Sequence, residues 1–253
     1  MSRKTKRLKP APVVPPPAAQ PAPLPAELLT APRSFGKKLR QADTTALQYW
    51  PAPVIAGALS GLAYALLLRS GLNLAMAEAL RAAGKTGGNM PTVISHITNG
   101  FGSFFLTILT FGVMWGLGRL GAGKGPDLRG ARVAEIYSAS FALLVPLYLL
   151  SIVLTLFTPA AAWALNPAEV TRAGGDLLEL QRAGLHSAAQ TPAALALLVA
   201  SLLGTLGQFG LAYPALRETT GNAGKALLAV LLPLLPALAL QVIAVGPLLT
   251  LRQ

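Results

Sequence analysis

The chain has 253 residues, of which 53% are hydrophobic and only 12% charged, against about 25% charged in an ordinary soluble domain. With a mean hydropathy of +0.55, so little charge cannot cover a soluble surface; a soluble globular enzyme is excluded, and lipid is the solvent for much of the chain. The net charge of +12, from 21 Lys and Arg against 9 Asp and Glu, fits anionic headgroups and membrane topology, and no nucleic-acid partner is expected.

The N-terminus opens with Arg3, Lys4, Lys6, Arg7 and Lys9, as a signal peptide can, but proline follows in place of an apolar core. Nine prolines fall between Pro10 and Pro32. Proline removes backbone donors and favours extended polyproline II. Residues 1–34 therefore read as a disordered basic, Pro-rich cytoplasmic tail. Next, Phe35, Leu39, Ala42, Ala46 and Trp50 recur every three or four residues, with Lys37, Lys38 and Arg40 off that face. This pattern predicts an interfacial amphipathic helix over 35–52, with Tyr49 and Trp50 at headgroup level.

Beyond it, uncharged runs cover 44–68, 97–118, 136–168, 187–216 and 226–251. Each exceeds the roughly 20 residues that cross a bilayer core. They predict spanning helices near 53–74, 99–119, 134–158, 192–214 and 226–250, apolar all round as lipid immersion or bundle burial requires. The loops at 75–83 and 176–183 read as short helices broken by Gly84, Gly87, Gly88, Gly174 and Gly175. Pro146, Pro233 and Pro236 are expected to kink the third and fifth spans. The expected fold is thus all-α: a polytopic bundle of five transmembrane helices over 53–251, behind the disordered tail and the interfacial helix.

Charge bias orients it. With the N-terminus inside, the segments on the cytoplasmic side carry fifteen of the 21 Lys and Arg, which predicts a cytoplasmic N-terminus and an external C-terminus. The expected location is the cytoplasmic (inner) membrane.

Little chemistry is legible. Cysteine is absent, which excludes disulfides, thiolate metal sites and a cysteine nucleophile. No Asp, Glu, Lys or Arg is expected inside the spans, which argues against a proton-coupled carrier. Gln208 and Gln241 are the strongest polar groups expected there, and read as hydrogen-bonding links between helices. The string Gly57–Gly61, GALSG, lacks the spacing of an intramembrane serine protease. His96 and His186 lie 90 positions apart with no adjoining glutamate, so no zinc-protease motif is present. The glycine-rich Gly121–Gly125 stretch holds Lys124 but no following Ser or Thr, and reads as a turn. No catalytic, cofactor-binding or metal-ligating residue is expected, and no cofactor. Gly57 and Gly61, Gly112 and Gly116, and Ala200, Gly204, Gly207 and Gly210 form small faces suited to close helix contact within one bundle.

Two stretches carry a family resemblance: GAGKGPDLRGARVAEIYSASFALLVP from Gly121 to Pro146, and FGLAYPALRETTGNAGKALLAVLLP from Phe209 to Pro233. With five spans and a long N-terminal tail, the chain over about residues 50–250 resembles the Yip family of membrane proteins, bacterial branch. It departs from the family's Gly-Tyr-x-x-x-Pro, having Ile136 and Phe141 where Gly and Pro would stand. It also lacks the Asp-Leu-Tyr-Gly-Pro string of eukaryotic members, so their GTPase-binding role is not carried over. The resemblance implies a non-enzymatic membrane protein, a membrane-organising scaffold or partner-binding protein, with a small permease-like subunit as the alternative. Expected partners are the bilayer, anionic headgroups at the N-terminal basic segment, and an unidentified protein. Lys225 is expected to anchor a helix end at the headgroups by snorkelling, with Gly221 and Gly224 allowing the tight turn before it.

Overall fold

The structure is a computed structural model that describes residues 21–43, 46–84, 93–123 and 131–251. Most of the expected tail, residues 1–20, lies outside the described residues, as do Gly87, Gly88 and Lys124. Among the described residues there is no β-strand, and five helical stretches are long and apolar enough to cross a membrane. Those stretches are Pro51–Ala82 (α3), Gly100–Ala122 within the helix Val93–Ala122 (α4), Arg132–Phe157, Pro192–Thr220 (α9) and Ala223–Thr250 (α10). Each of the five predicted spans falls on one of them.

Outward-facing Leu62, Phe101, Phe105, Leu156, Phe157, Leu235 and Ile243 are exposed. A soluble monomer does not display large apolar side chains along all its long helices in this way; a lipid-facing bundle does. Inside, Phe111, Met114, Tyr137, Phe141, Leu144, Tyr148, Leu197 and Phe209 are buried together.

The third span is two helices, Ala131–Ser140 (α5) and Leu144–Phe157 (α6), joined by a tighter turn at Phe141–Leu143. Pro146 explains the join. It has no N–H for the Ala142 carbonyl, and its ring crowds that carbonyl. The backbone therefore tightens just before it and resumes as α-helix. Pro233 and Pro236, by contrast, are accommodated within the single helix α10, as is Pro247.

Two glycine contacts set how closely the helices pack. A Cβ on Gly61 would stand 2.5 Å from the Gly100 carbonyl oxygen, and one on Gly57 would stand 3.0 Å from the Phe104 ring. The first small face is thus an internal α3–α4 contact, as expected. Gly204 and Gly207 likewise face Leu144 and Leu143. Gly112 and Gly116 differ: nothing lies within 4 Å of a Cβ at either. Their face looks out of the bundle, and α4 instead meets α10 through Gly118 and Gly121.

The expected loop helix at 75–83 is the unbroken end of α3, which at 32 residues reaches beyond a bilayer core. Its last turns are held by Leu177–Gln190 (α8), which incorporates the predicted 176–183 helix. Gly71 and Gly184 meet backbone to backbone there. Pro167–Ala173 (α7) folds against α8 and completes this far end of the bundle.

At the near end the structure corrects the expected tail boundary and the expected interfacial helix. Residues expected to be disordered through 34 form Pro25–Thr30 (α1) and the start of Pro32–Gln41 (α2). Pro32 disfavours helical geometry at Ala31, so the chain bends between them. The predicted helix over 35–52 ends at Gln41, and a separate turn covers Ala46–Tyr49. Phe35 and Leu39 are fully buried against α9 and the adjoining core instead of resting on lipid. Gly36 allows this, since a Cβ there would stand 2.6 Å from the Ala215 carbonyl oxygen. The reason is competition: the apolar face is the one foreseen, but the end of α9 offers it a closely packed partner.

Candidate functional site

The hairpin of α1 and α2 is fastened to the bundle by side chains that donate to its backbone. Tyr49 donates its hydroxyl to the Pro23 carbonyl at 2.6 Å, and its ring meets Phe35 edge-on at 5.9 Å. Tyr49 was expected at headgroup level; it is buried beneath the hairpin. Burial first, and the Glu135 carboxylate second, hold the Tyr49 hydroxyl well above its usual pKa, so it remains a donor. Arg132 donates Nη2 to the Ala42 carbonyl at 2.5 Å and Nη1 to Glu135 Oε2 at 3.3 Å. The Arg132 side chain is 10% exposed and that of Glu135 is fully buried.

This overturns the expectation that the spans hold no charged group. Arg132 and Glu135 open the third span, one turn apart. A charge pair is costly to desolvate unless its remaining donors and acceptors are met, and the Ala42 carbonyl, freed at the end of α2, meets one of them. The uncharged runs begin and end beside these charges, but the predicted spans drawn from them already held Glu135, in 134–158, and Arg69, in 53–74. The signal was the Arg-x-x-Glu spacing just upstream, which puts both side chains on one helix face.

The opposite face of α2 is basic. Arg33, Lys37, Lys38 and Arg40 are exposed, while Lys38 pairs with Glu27 of α1 at 2.5 Å. That pair, and then the Leu24 N–H, hold the Glu27 carboxyl below its usual pKa.

Deeper in the bundle the two glutamines occupy the positions foreseen. Gln241 of α10 donates to Thr110 Oγ1 of α4 at 2.8 Å, and Gln208 of α9 donates to Ser140 Oγ of α5 at 3.3 Å. Ser60 is paired hydroxyl to hydroxyl with Ser103 at 2.7 Å. His186 sits at the far end, 2.8 Å from Glu169, beside a cleft that also includes Arg172, Glu179 and Arg182. His96 lies in α4, and its side chain is outside the described residues. No group of three or more His, Asp or Glu capable of holding a metal occurs among the described residues.

Lys225 opens α10, where its backbone N–H is capped by Asn222 Oδ1 at 3.0 Å. Of the two glycines expected to make that turn, Gly221 does so with φ of +62°. Gly224 is already inside the helix. The near end thus combines a basic outer surface, a clamped hairpin and a buried ion pair. Such an arrangement can hold a docking surface in fixed geometry. No family model, curated protein or solved structure matches the chain.

Proposed function

We propose that this multi-pass membrane protein is a non-enzymatic scaffold of the Yip type, which presents its near end to the cytoplasmic leaflet and to a protein partner. The observation that carries this reading is the orientation of α2. Its apolar residues Phe35 and Leu39 are spent on the bundle, while Arg33, Lys37 and Arg40 face outward. A polybasic surface gains about 1 kcal/mol per Lys or Arg held near an anionic leaflet. Seated on a packed bundle, those charges form a fixed surface for headgroups and for a partner carrying acidic groups. The close backbone approaches at Gly61 and Gly71 support a bundle that packs tightly over one that cycles between open states.

A second reading, a small permease-like subunit, draws on the buried Arg132–Glu135 pair and the buried hydroxyls of Ser60, Ser103 and Thr107. Buried charge in a span often marks a solute or proton path. Proteoliposomes containing only the purified protein separate the two. The scaffold reading expects no flux of protons, ions or small neutral solutes above that of empty liposomes. Saturable flux abolished by Glu135→Gln would establish the permease reading instead.

A further inference from the structure

Pro214 of α9 and Pro233, Pro236 and Pro247 of α10 lie inside long helices. Each lacks the N–H that would bind the carbonyl four residues earlier, and its ring crowds that carbonyl. In water a carbonyl freed in this way is solvated. In a bilayer core it is not, and a neighbouring group has to serve it. Pro236 and Pro247 are exposed, whereas Pro233 is buried and faces the bundle.

The carbonyl freed by Pro233 is that of Ala229, which is 0% exposed. Tyr137 of α5 donates its hydroxyl to this carbonyl at 2.6 Å. A glycine of α4 makes room for the ring: a Cβ on Gly118 would stand 2.5 Å from Tyr137 Cε2 and 3.2 Å from the Ala229 oxygen. Phe209 of α9 meets the ring edge-on at 5.9 Å. A side chain held between α4, α9 and α10 thus supplies the donor that α10 lacks.

We propose that the step from Ala229 to Pro233 is a hinge in α10 and that the Tyr137 hydroxyl is its latch. With the latch closed, the near end of α10, with Lys225 and the turn at Gly221 before it, is fixed to the rest of the helix. With it open, that end can swing. The helix that carries the latch also carries Arg132, which holds the Ala42 carbonyl at the end of the hairpin. The hairpin and the near end of α10 are therefore both held by one ten-residue helix, α5. The latch does not depend on whether the protein acts as a scaffold or moves a solute.

The exposed residues Ala223 and Thr250 bound α10, and the chain has no native cysteine. Spin labels on Ala223→Cys and Thr250→Cys stand about 40 Å apart along this 28-residue helix. Their distance distribution, measured by pulsed dipolar electron spin resonance on the full-length protein in liposomes, reports its bend. The otherwise native chain should give one narrow distribution. Tyr137→Phe removes only the hydroxyl, keeps the ring beside Gly118, and should broaden the distribution. Adding Pro233→Ala should restore the narrow one, because the new N–H takes the Ala229 carbonyl and the latch is no longer needed. An unchanged distribution in Tyr137→Phe would overturn the proposal. So would broadening that persists in the double variant, since the motion would then not arise at Pro233.

Discussion

Arg132 and Ala42 are joined across 90 positions of chain: the guanidinium at the start of the third span donates to the carbonyl that closes α2. The hairpin is therefore bound to the bundle by a charged group as well as by Phe35 and Leu39, and the charged group is itself paired with a buried carboxylate.

Removing one member of a buried ion pair typically costs about 3–5 kcal/mol. Arg132→Met should destabilise the protein by that amount in reversible unfolding in detergent. Arg132→Met combined with Glu135→Leu should recover most of the loss, because the buried carboxylate goes with it. A double variant no more stable than the single one would show that the pair is not the source of the effect.

Glycines of similar sequence context should behave differently. Gly61→Ala drives a methyl into the Gly100 backbone, and overpacking of this kind typically costs about 1–3 kcal/mol. Gly112→Ala meets nothing within 4 Å and should leave the unfolding midpoint unchanged or slightly raised. Equal losses at both sites would contradict the assignment of Gly61 to an internal seam and Gly112 to the lipid face.

Both glycine pairs have the same one-letter pattern, which shows where sequence reading stops. The spans were legible because about 20 apolar residues in a row have few other uses. Which side of each span faces inward was not legible, since lipid and protein interior select the same residue types. The hairpin was hidden for another reason. Proline dominates residues 10–32, yet Pro25 and Pro32 sit at helix starts, where a missing N–H costs nothing.

Acidification should loosen the hairpin. Glu27 has its carboxyl pKa lowered by Lys38 and the Leu24 N–H. A depressed folded-state pKa contributes stability that is present above the usual carboxyl value of 4.5 and is lost as pH falls through the folded value. Amide exchange protection across α1 and α2, corrected for intrinsic rates, should drop below about pH 4.5 in the native protein. Glu27→Gln should start with lower protection and show less further change. Identical pH profiles would mean that Glu27 does not hold the two helices together.

The basic face should select lipid. Arg33→Glu, Lys37→Glu and Arg40→Glu together should lower the amount of anionic lipid retained by the purified full-length protein, measured by mass spectrometry, while the unfolding midpoint stays within a few degrees. Raising salt to about 0.5 M, where screening shortens to a few ångströms, should have the same effect on the native chain. Retention unaffected by either change would remove the headgroup role of α2.

The proposed function requires the hairpin to face the cytoplasm, and single-cysteine labelling in intact cells tests that most directly. The chain has no native cysteine, so the background is clean. Ser34, Asn222, Ala83 and Thr171 are exposed. A membrane-impermeant thiol reagent should leave Ser34→Cys and Asn222→Cys unlabelled until the membrane is opened, and should label Ala83→Cys and Thr171→Cys at once. Labelling of Ser34→Cys and Asn222→Cys with protection of the other two would mean that the bundle is inverted and that the basic face lies outside, contradicting the proposed function.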